Sequence, residues 1–109
     1  MNSYNVLSKV IDALIRVKKV LVEKPNAKIY IGKTNNCVRR EQEHKMKGFS
    51  NFTILVENLS LEEANKIESI LIKILHCFYK DSIENDNEGG GGYTTENSEN
   101  GNYIYLVIK

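Results

Sequence analysis

The segment from Ser60 to Phe78 constrains this chain most. Ser60-Leu61-Glu62-Glu63 has the spacing of a capping box, with a hydroxyl at the N-cap and a carboxylate three residues on. A helix is therefore predicted from Leu61 to about His76 or Phe78. Its second half (Ile70, Leu71, Ile72, Ile74, Leu75) is apolar on most sides. A surface of that kind needs cover from several directions, so this helix is predicted at the centre of the core with the remaining elements around it.

The other elements follow from period and punctuation. Val6, Leu7, Val10, Ile11 and Leu14 recur at helical spacing, which predicts an amphipathic helix over roughly 4–16, within an N-terminal helical segment 1–18. Val20, Leu21 and Val22 favour a strand over 19–24. Pro25-Asn26 marks a turn, and Lys28-Ile29-Tyr30-Ile31-Gly32 reads as the return strand of a hairpin. Asn35 or Asn36 can cap a helix from Cys37 to about Lys47, ended by Gly48. Phe52–Val56 and Tyr103–Ile108 read as further strands. Residues 81–102, rich in Asn, Glu, Ser and Gly, read as a flexible acidic loop. The order α-β-β-α-β-α-loop-β predicts an α+β fold: a small, mainly antiparallel sheet of three strands, with a fourth allowed, flanked by helices. At 109 residues, the whole of 1–109 is expected to be one domain.

Charge and cysteine content narrow the function classes. Residues 1–40 hold nine Lys and Arg against Asp12 and Glu23, whereas 81–100 hold six acids and no base. A basic half suits a polyanionic partner, although such charges also simply solvate helix and strand faces. No apolar run approaches a membrane span, and charges interrupt the N-terminal apolar positions, so neither membrane insertion nor a signal peptide is expected. Cys37 and Cys77 make no disulfide framework, and no Cys/His spacing suggests zinc. A cytoplasmic, reducing setting is the expectation.

The densest chemical signal lies between Tyr30 and His44. A strand ends near Gly32, a polar turn follows, and the next helix carries Arg40 and His44 four residues apart on one face. Gly32 leaves room for a close backbone approach. A phenol, a guanidinium and an imidazole at one place suit phosphodiester hydrolysis, where a cation stabilises developing charge and Tyr or His moves protons. Each group also has an ordinary structural role open to it. Tyr30 can be a half-buried strand aromatic, Arg40 a surface partner of Glu43, and His44 an exposed helix histidine. Glu68 sits where its helix turns from polar to apolar, and a carboxylate there is costly unless paired or metal-bound. His76 reads as a core or cap group. Cys37 opens a helix without a paired His or Asn to make it a nucleophile.

This stretch resembles the second, Tyr-Ile-Gly half of the GIY-YIG nuclease domain, found in homing endonucleases, the excision-repair nuclease subunit and some restriction enzymes. In that family the motif is followed by a catalytic arginine and, one helical turn later, a histidine; Tyr30, Arg40 and His44 fall on those positions. A glutamate on a later helix binds the single divalent metal, and Glu68, ahead of Ser69-Ile70-Leu71-Ile72-Lys73, matches it. The similarity spans roughly 19–95. The family's asparagine before a Gly-rich segment corresponds to Asn87, with Asn85 as second choice, ahead of Gly89-Gly90-Gly91-Gly92. The first motif, Gly-Ile-Tyr, is missing. Its strand would lie near Lys19-Val20-Leu21-Val22, which has no tyrosine, so Tyr4, Tyr93 or Tyr103 is expected to substitute if any does.

What the resemblance implies is a divalent-metal-dependent DNA endonuclease. Mg²⁺ or Mn²⁺ would be held by Glu68, Tyr30 would act as base directly or with His44, and Arg40 would brace the transition state. An unperturbed phenol titrates near ~10, so that role needs cationic neighbours. Gly32 and Asn87 would shape the site, and Lys18, Lys19, Lys33 and Arg39 would contact flanking phosphates. DNA is the expected partner, with a homodimer or a protein partner supplying further specificity. Two rivals stand beside it: a GIY-YIG-like nucleic-acid-binding module without turnover, and a protein-interaction or inhibitor module from a phage or mobile element.

Overall fold

The computed structural model describes residues 3–85 and 101–109. Helices and strands alternate: α1 (Ser3–Glu23), β1 (Ile29–Thr34), α2 (Cys37–Met46), β2 (Ser50–Leu59), α3 (Leu61–Phe78) and β3 (Asn102–Ile108). The strands form one antiparallel sheet in the order β1-β3-β2, an α+β fold of three strands and three helices. The last strand in sequence is thus the central one. Its unbroken apolar run, Ile104 to Ile108, is buried throughout, as a strand covered on both faces requires.

Strand alternation sorts the side chains into two layers. Ile29 and Ile31 of β1 and Ile104, Leu106 and Ile108 of β3 join the main core with α1 and α3. The intervening residues, Tyr30 and Gly32 on β1 and Tyr105 and Val107 on β3, face the other way, toward α2. As predicted, α3 is the core helix: Ile67, Leu71, Ile72 and Leu75 are fully buried, and both bonds of the Ser60/Glu63 capping box are made.

Residues 19–23 are helix, not strand, and no hairpin joins them to β1. Val17 and Leu21 continue the buried stripe of Val6, Val10 and Ala13 on α1, and Lys24 N donates to Val20 O at 2.9 Å. The helix penalty of a β-branched residue is only ~0.5 kcal/mol. Burying a Val or Leu against α3 contributes roughly 2 kcal/mol, so packing overrides local preference.

The free edge of β1 is covered from another part of the chain. Ile29 N donates to Ser82 O, Glu84 N donates to Ile29 O, and Ile83 forms a parallel bridge to Ile29. Buried Asn85 completes the cover. Its Oδ1 accepts from Ile31 N at 2.9 Å, and its Nδ2 donates to Ile31 O at 2.8 Å. Residues 81–85, expected to begin a flexible loop, therefore belong to the fold and satisfy an edge that would otherwise present unpaired backbone groups. Residue 102, expected to close that loop, begins β3 instead. Asn87, the four glycines and Tyr93 lie outside the described residues. Among the described residues no helix is long and apolar enough to cross a membrane.

Candidate active site

The turn from β1 into α2 is built by local hydrogen bonds. Thr34 Oγ1 accepts from Asn36 N at 2.9 Å, and the Asn36 side chain caps α2 by accepting from Arg39 N at 3.1 Å. At the far end of α2, Gly48 adopts φ +91°, Phe49 N donates to His44 O, and Gly48 N donates to Lys45 O. This paired closure is a Schellman motif, and it brings the residue after the glycine back over the last turn. The Phe49 ring accordingly meets the His44 ring edge-on, with centroids 5.4 Å apart at 83°. The C-terminal stop of α2 thus walls one side of the imidazole.

Beneath α2 the sheet supplies two phenols. The Tyr30 ring lies 5.1 Å from the His44 ring, centroid to centroid. Gly32 pairs in register with Tyr105, whose ring crosses directly over the glycine. A Cβ at position 32 would overlap the Tyr105 hydroxyl and ring carbons. Tyr105 Oη reaches His44 Nε2 at 2.7 Å, and Phe52 stacks on the Tyr105 ring at 4.7 Å. Burial, then the neighbouring Tyr30, pushes the Tyr105 hydroxyl well above the ordinary phenol range. Burial, followed by Lys47 and Arg40, holds the His44 imidazole below its ordinary value. A neutral phenol and a neutral imidazole thus share one proton along this contact, the direction being set by the histidine tautomer.

The carboxylate of Glu68 projects from α3 on the other side of β1. Lys33 Nζ donates to Glu68 Oε1 at 2.9 Å, with the two side chains only 7% and 5% exposed. Burial raises the Glu68 carboxyl above its ordinary value, against the lowering effects of Lys33 and then Arg40. Arg40 joins the two halves: its charge is felt by the Glu68 carboxylate, the Tyr105 hydroxyl and the His44 imidazole. Its nearest acidic contact is Glu43, one turn along α2, at 3.4 Å. Two buried nitrogens here, Arg40 Nε and His44 Nδ1, have no hydrogen-bond partner among the described residues. Orphaned buried donors are uncommon in finished cores and are characteristic of places that receive a ligand or water.

Tyr30, Gly32, Arg40 and His44 gather on the α2 side of β1, with Glu68 on its α3 side, whereas other expected residues do not join them. Lys33, expected to grip an exposed phosphate, is buried as the counter-ion of Glu68, because the alternation that turns Gly32 toward α2 turns Lys33 toward α3. Lys18 lines a groove between α1 and α3 on the opposite side of the sheet from α2, and Lys19 is exposed on the same helix. Arg39 stays on α2, one residue from Arg40. Asn85, the second choice for the family's asparagine, is committed to the backbone of Ile31. His76, expected as a core or cap group, has its Nε2 2.9 Å from Asn85 O and so ties the last turn of α3 to the segment covering β1. Burial and Glu41 raise the Cys37 thiol, opposite to the effect of a helix start.

Tyr105 is the functional candidate that sequence reasoning missed. A glycine inside a strand signals close approach by a bulky neighbour. The identity of that neighbour follows only from register, which pairs residue 32 with a strand more than seventy positions away. Tyr105, not Tyr103, puts a second phenol beside Tyr30. Tyr93 and the side chain of Tyr4 lie outside the described residues.

A hydrated Mg²⁺ or Mn²⁺ takes one or two carboxylate oxygens and fills its remaining shell with water and phosphate oxygen. Among the described residues no group of three or more His, Cys, Asp or Glu side chains is gathered. Glu68 offers the one buried carboxylate among the described residues, but Lys33 occupies its Oε1 and its side chain is 5% exposed, so a hydrated ion fits there only with the Lys33 ammonium displaced. Compared with protein-family models, curated proteins and solved structures, the chain matches none.

Proposed function

We propose that this domain is a divalent-metal-dependent endonuclease that hydrolyses DNA phosphodiester bonds, with Tyr30, Arg40, His44, Glu68 and Tyr105 as its working side chains. The observation that supports the reading is the gathering of Tyr30, His44 and Tyr105, with the Tyr30 ring 5.1 Å from the His44 ring and Tyr105 Oη 2.7 Å from His44 Nε2, under the helix that carries Arg40 one turn before His44. Hydrolysis adds water across the P–O3′ bond. The water oxygen bonds to phosphorus, one of its protons passes to a base, and the 3′ oxygen departs and is protonated. Tyr30 takes the proton either as its phenolate or by passing its own hydroxyl proton to His44 as it does so, and the depressed affinity of His44 keeps the imidazole neutral and able to accept one at neutral pH. Arg40 neutralises charge gathering on the phosphoryl oxygens. Tyr105 holds His44 in orientation: with His44 Nε2–H donating to the Tyr105 oxygen, the unpartnered Nδ1 keeps the lone pair that accepts a proton. Glu68 would hold the metal once Lys33 gives up its carboxylate, and the ion would then supply Lewis-acid stabilisation of the leaving oxygen. Arg39 lies close enough in sequence and on the same helix to contact a flanking phosphate. Two free cysteines agree with a reducing, intracellular setting.

The Lys33–Glu68 pair favours one alternative, a nucleic-acid-binding or inhibitor module in which the lysine has taken over the metal's electrostatic role. Nicking of supercoiled plasmid separates the two. The endonuclease reading expects cutting with Mg²⁺ or Mn²⁺ that stops with EDTA and is lost in Arg40→Ala and Glu68→Gln. Clean wild-type protein that binds DNA without cutting it under any divalent ion refutes the proposal in favour of the alternative.

A further inference from the structure

α1 carries two apolar stripes, and the fold uses only one. Val6, Val10, Ala13, Val17 and Leu21 are buried against the rest of the domain. Leu7, Ile11, Ile15 and Val22 recur at intervals of four and seven, which places them together on a second face of the same helix. All four are exposed, Ile15 at 62% and Val22 at 71%. Beside this stripe, Ile11, Leu14 and Ile15 line a groove of about 320 Å³ with Ile74, Phe78 and Tyr79, and Phe78 is itself 76% exposed. The exposed parts of Leu7, Ile11, Ile15, Val22 and Phe78 amount to roughly 600 Å² of largely apolar surface, the upper limit for a patch on a monomer. A standard interface takes ~800 Å² from each partner, so this patch nearly suffices for a dimer core.

The charges bordering the stripe identify the occupant. Asp12 and Lys19 lie on the same flank, two helical turns apart, and both are exposed. Neither takes part in a hydrogen bond or ion pair among the described residues. When two identical helices cross antiparallel about a two-fold axis, each flank meets its own counterpart, and residue i meets j while j meets i. An axis between Ile15 and Arg16 sets Asp12 against Lys19 of the second copy, twice, with Ile15 near the centre. The pattern is acid and base on one flank at the separation a two-fold needs. Lys18, within the stripe, is exposed and lines the same groove, where a lysine stem can cover apolar surface while its ammonium stays in water.

We propose that this face of α1 is the interface of a homodimer, with the two α1 helices crossing antiparallel near Ile15. The inference is independent of the nuclease reading. Sedimentation of the full chain from low to high micromolar concentration tests it. The wild type is expected to pass from one chain mass to two, and Ile15→Glu, at an exposed position, to remain monomeric with an unchanged helical circular dichroism spectrum. Asp12→Lys and Lys19→Asp should each weaken association by roughly three- to tenfold, and the double exchange should restore it. A wild type that stays monomeric overturns the proposal, as does a dimer that Ile15→Glu leaves intact. Failure of the double exchange to recover association overturns the antiparallel register. Binding to anionic phospholipid vesicles in place of self-association would also overturn it.

Discussion

Removing the Glu68 carboxylate alone should cost far more than removing the whole ion pair. The Lys33–Glu68 contact is 2.9 Å long and almost wholly withdrawn from solvent. At that separation the Coulomb attraction is roughly 6 kcal/mol for an effective dielectric near 20. Desolvation costs several kcal/mol per ion, so the pair comes out close to neutral. The raised Glu68 carboxyl, with burial as its largest cause, agrees that desolvation outweighs attraction at this group. Glu68→Ala leaves the Lys33 ammonium buried without its carboxylate and should cost about 3–5 kcal/mol. Lys33→Met with Glu68→Leu fills similar volume without charge and should lie within about 1 kcal/mol of wild type, or be more stable. The sign with pH follows from linkage. Because the folded Glu68 value lies above the unfolded one, its contribution is fully present below the unfolded carboxyl value and is lost as pH rises through the folded value. The double variant should therefore gain on wild type as pH rises across that window. Urea unfolding of the three proteins, fitted with a shared slope, reads the differences. A Glu68→Ala loss below about 1 kcal/mol, or a double variant as unstable as Glu68→Ala, refutes the reasoning.

Three further outcomes are expected. Gly32→Ala should destabilise by about 1–3 kcal/mol through overlap with the Tyr105 ring. Because the clash is with that side chain, Gly32→Ala should cost nearly nothing in a Tyr105→Ala background; additive losses in a double-mutant cycle would contradict the contact. Asn85→Ala should cost about 2 kcal/mol by orphaning both polar groups of Ile31, with amide exchange speeding up along β1 before β2; uniform acceleration would show that Asn85 does not guard that edge. His44 titrates lower in the folded chain than the unfolded value of about 6.5, so its contribution is fully present above that value and is lost as pH falls through the folded value. His44→Gln should lack that acid-side loss, and identical stability–pH slopes for the two proteins between about pH 7 and 5 would count against it.

Local chemistry made much of this molecule legible. The capping box at Ser60 and Glu63, the Asn36 cap, the Gly48 stop and the core stripe of α3 are short-range patterns whose geometry is set by a few neighbouring residues. The i, i+4 pairing of Arg40 and His44 on one helix, next to the strand bearing Tyr30, is of the same kind. Residues 19–23 are helical against the strand preference of their β-branched side chains because that preference is weak, whereas Val17 and Leu21 complete a buried face against the core. The polar stretch at 81–85 looked like open loop because nothing local reveals that Asn85 is hydrogen-bonded to a strand fifty-four residues earlier.

By itself, the sequence determined which segments bury a face, where α2 and α3 start and stop, and which side chains stand one helical turn apart, because those depend on backbone geometry within a few residues. Tertiary structure alone decided that the last strand lies in the middle of the sheet, that Tyr105 rests over Gly32, and that Lys33 meets Glu68 and not solvent. Those pairings depend on strand register, and one step of register carries every side chain on the strand to the opposite face.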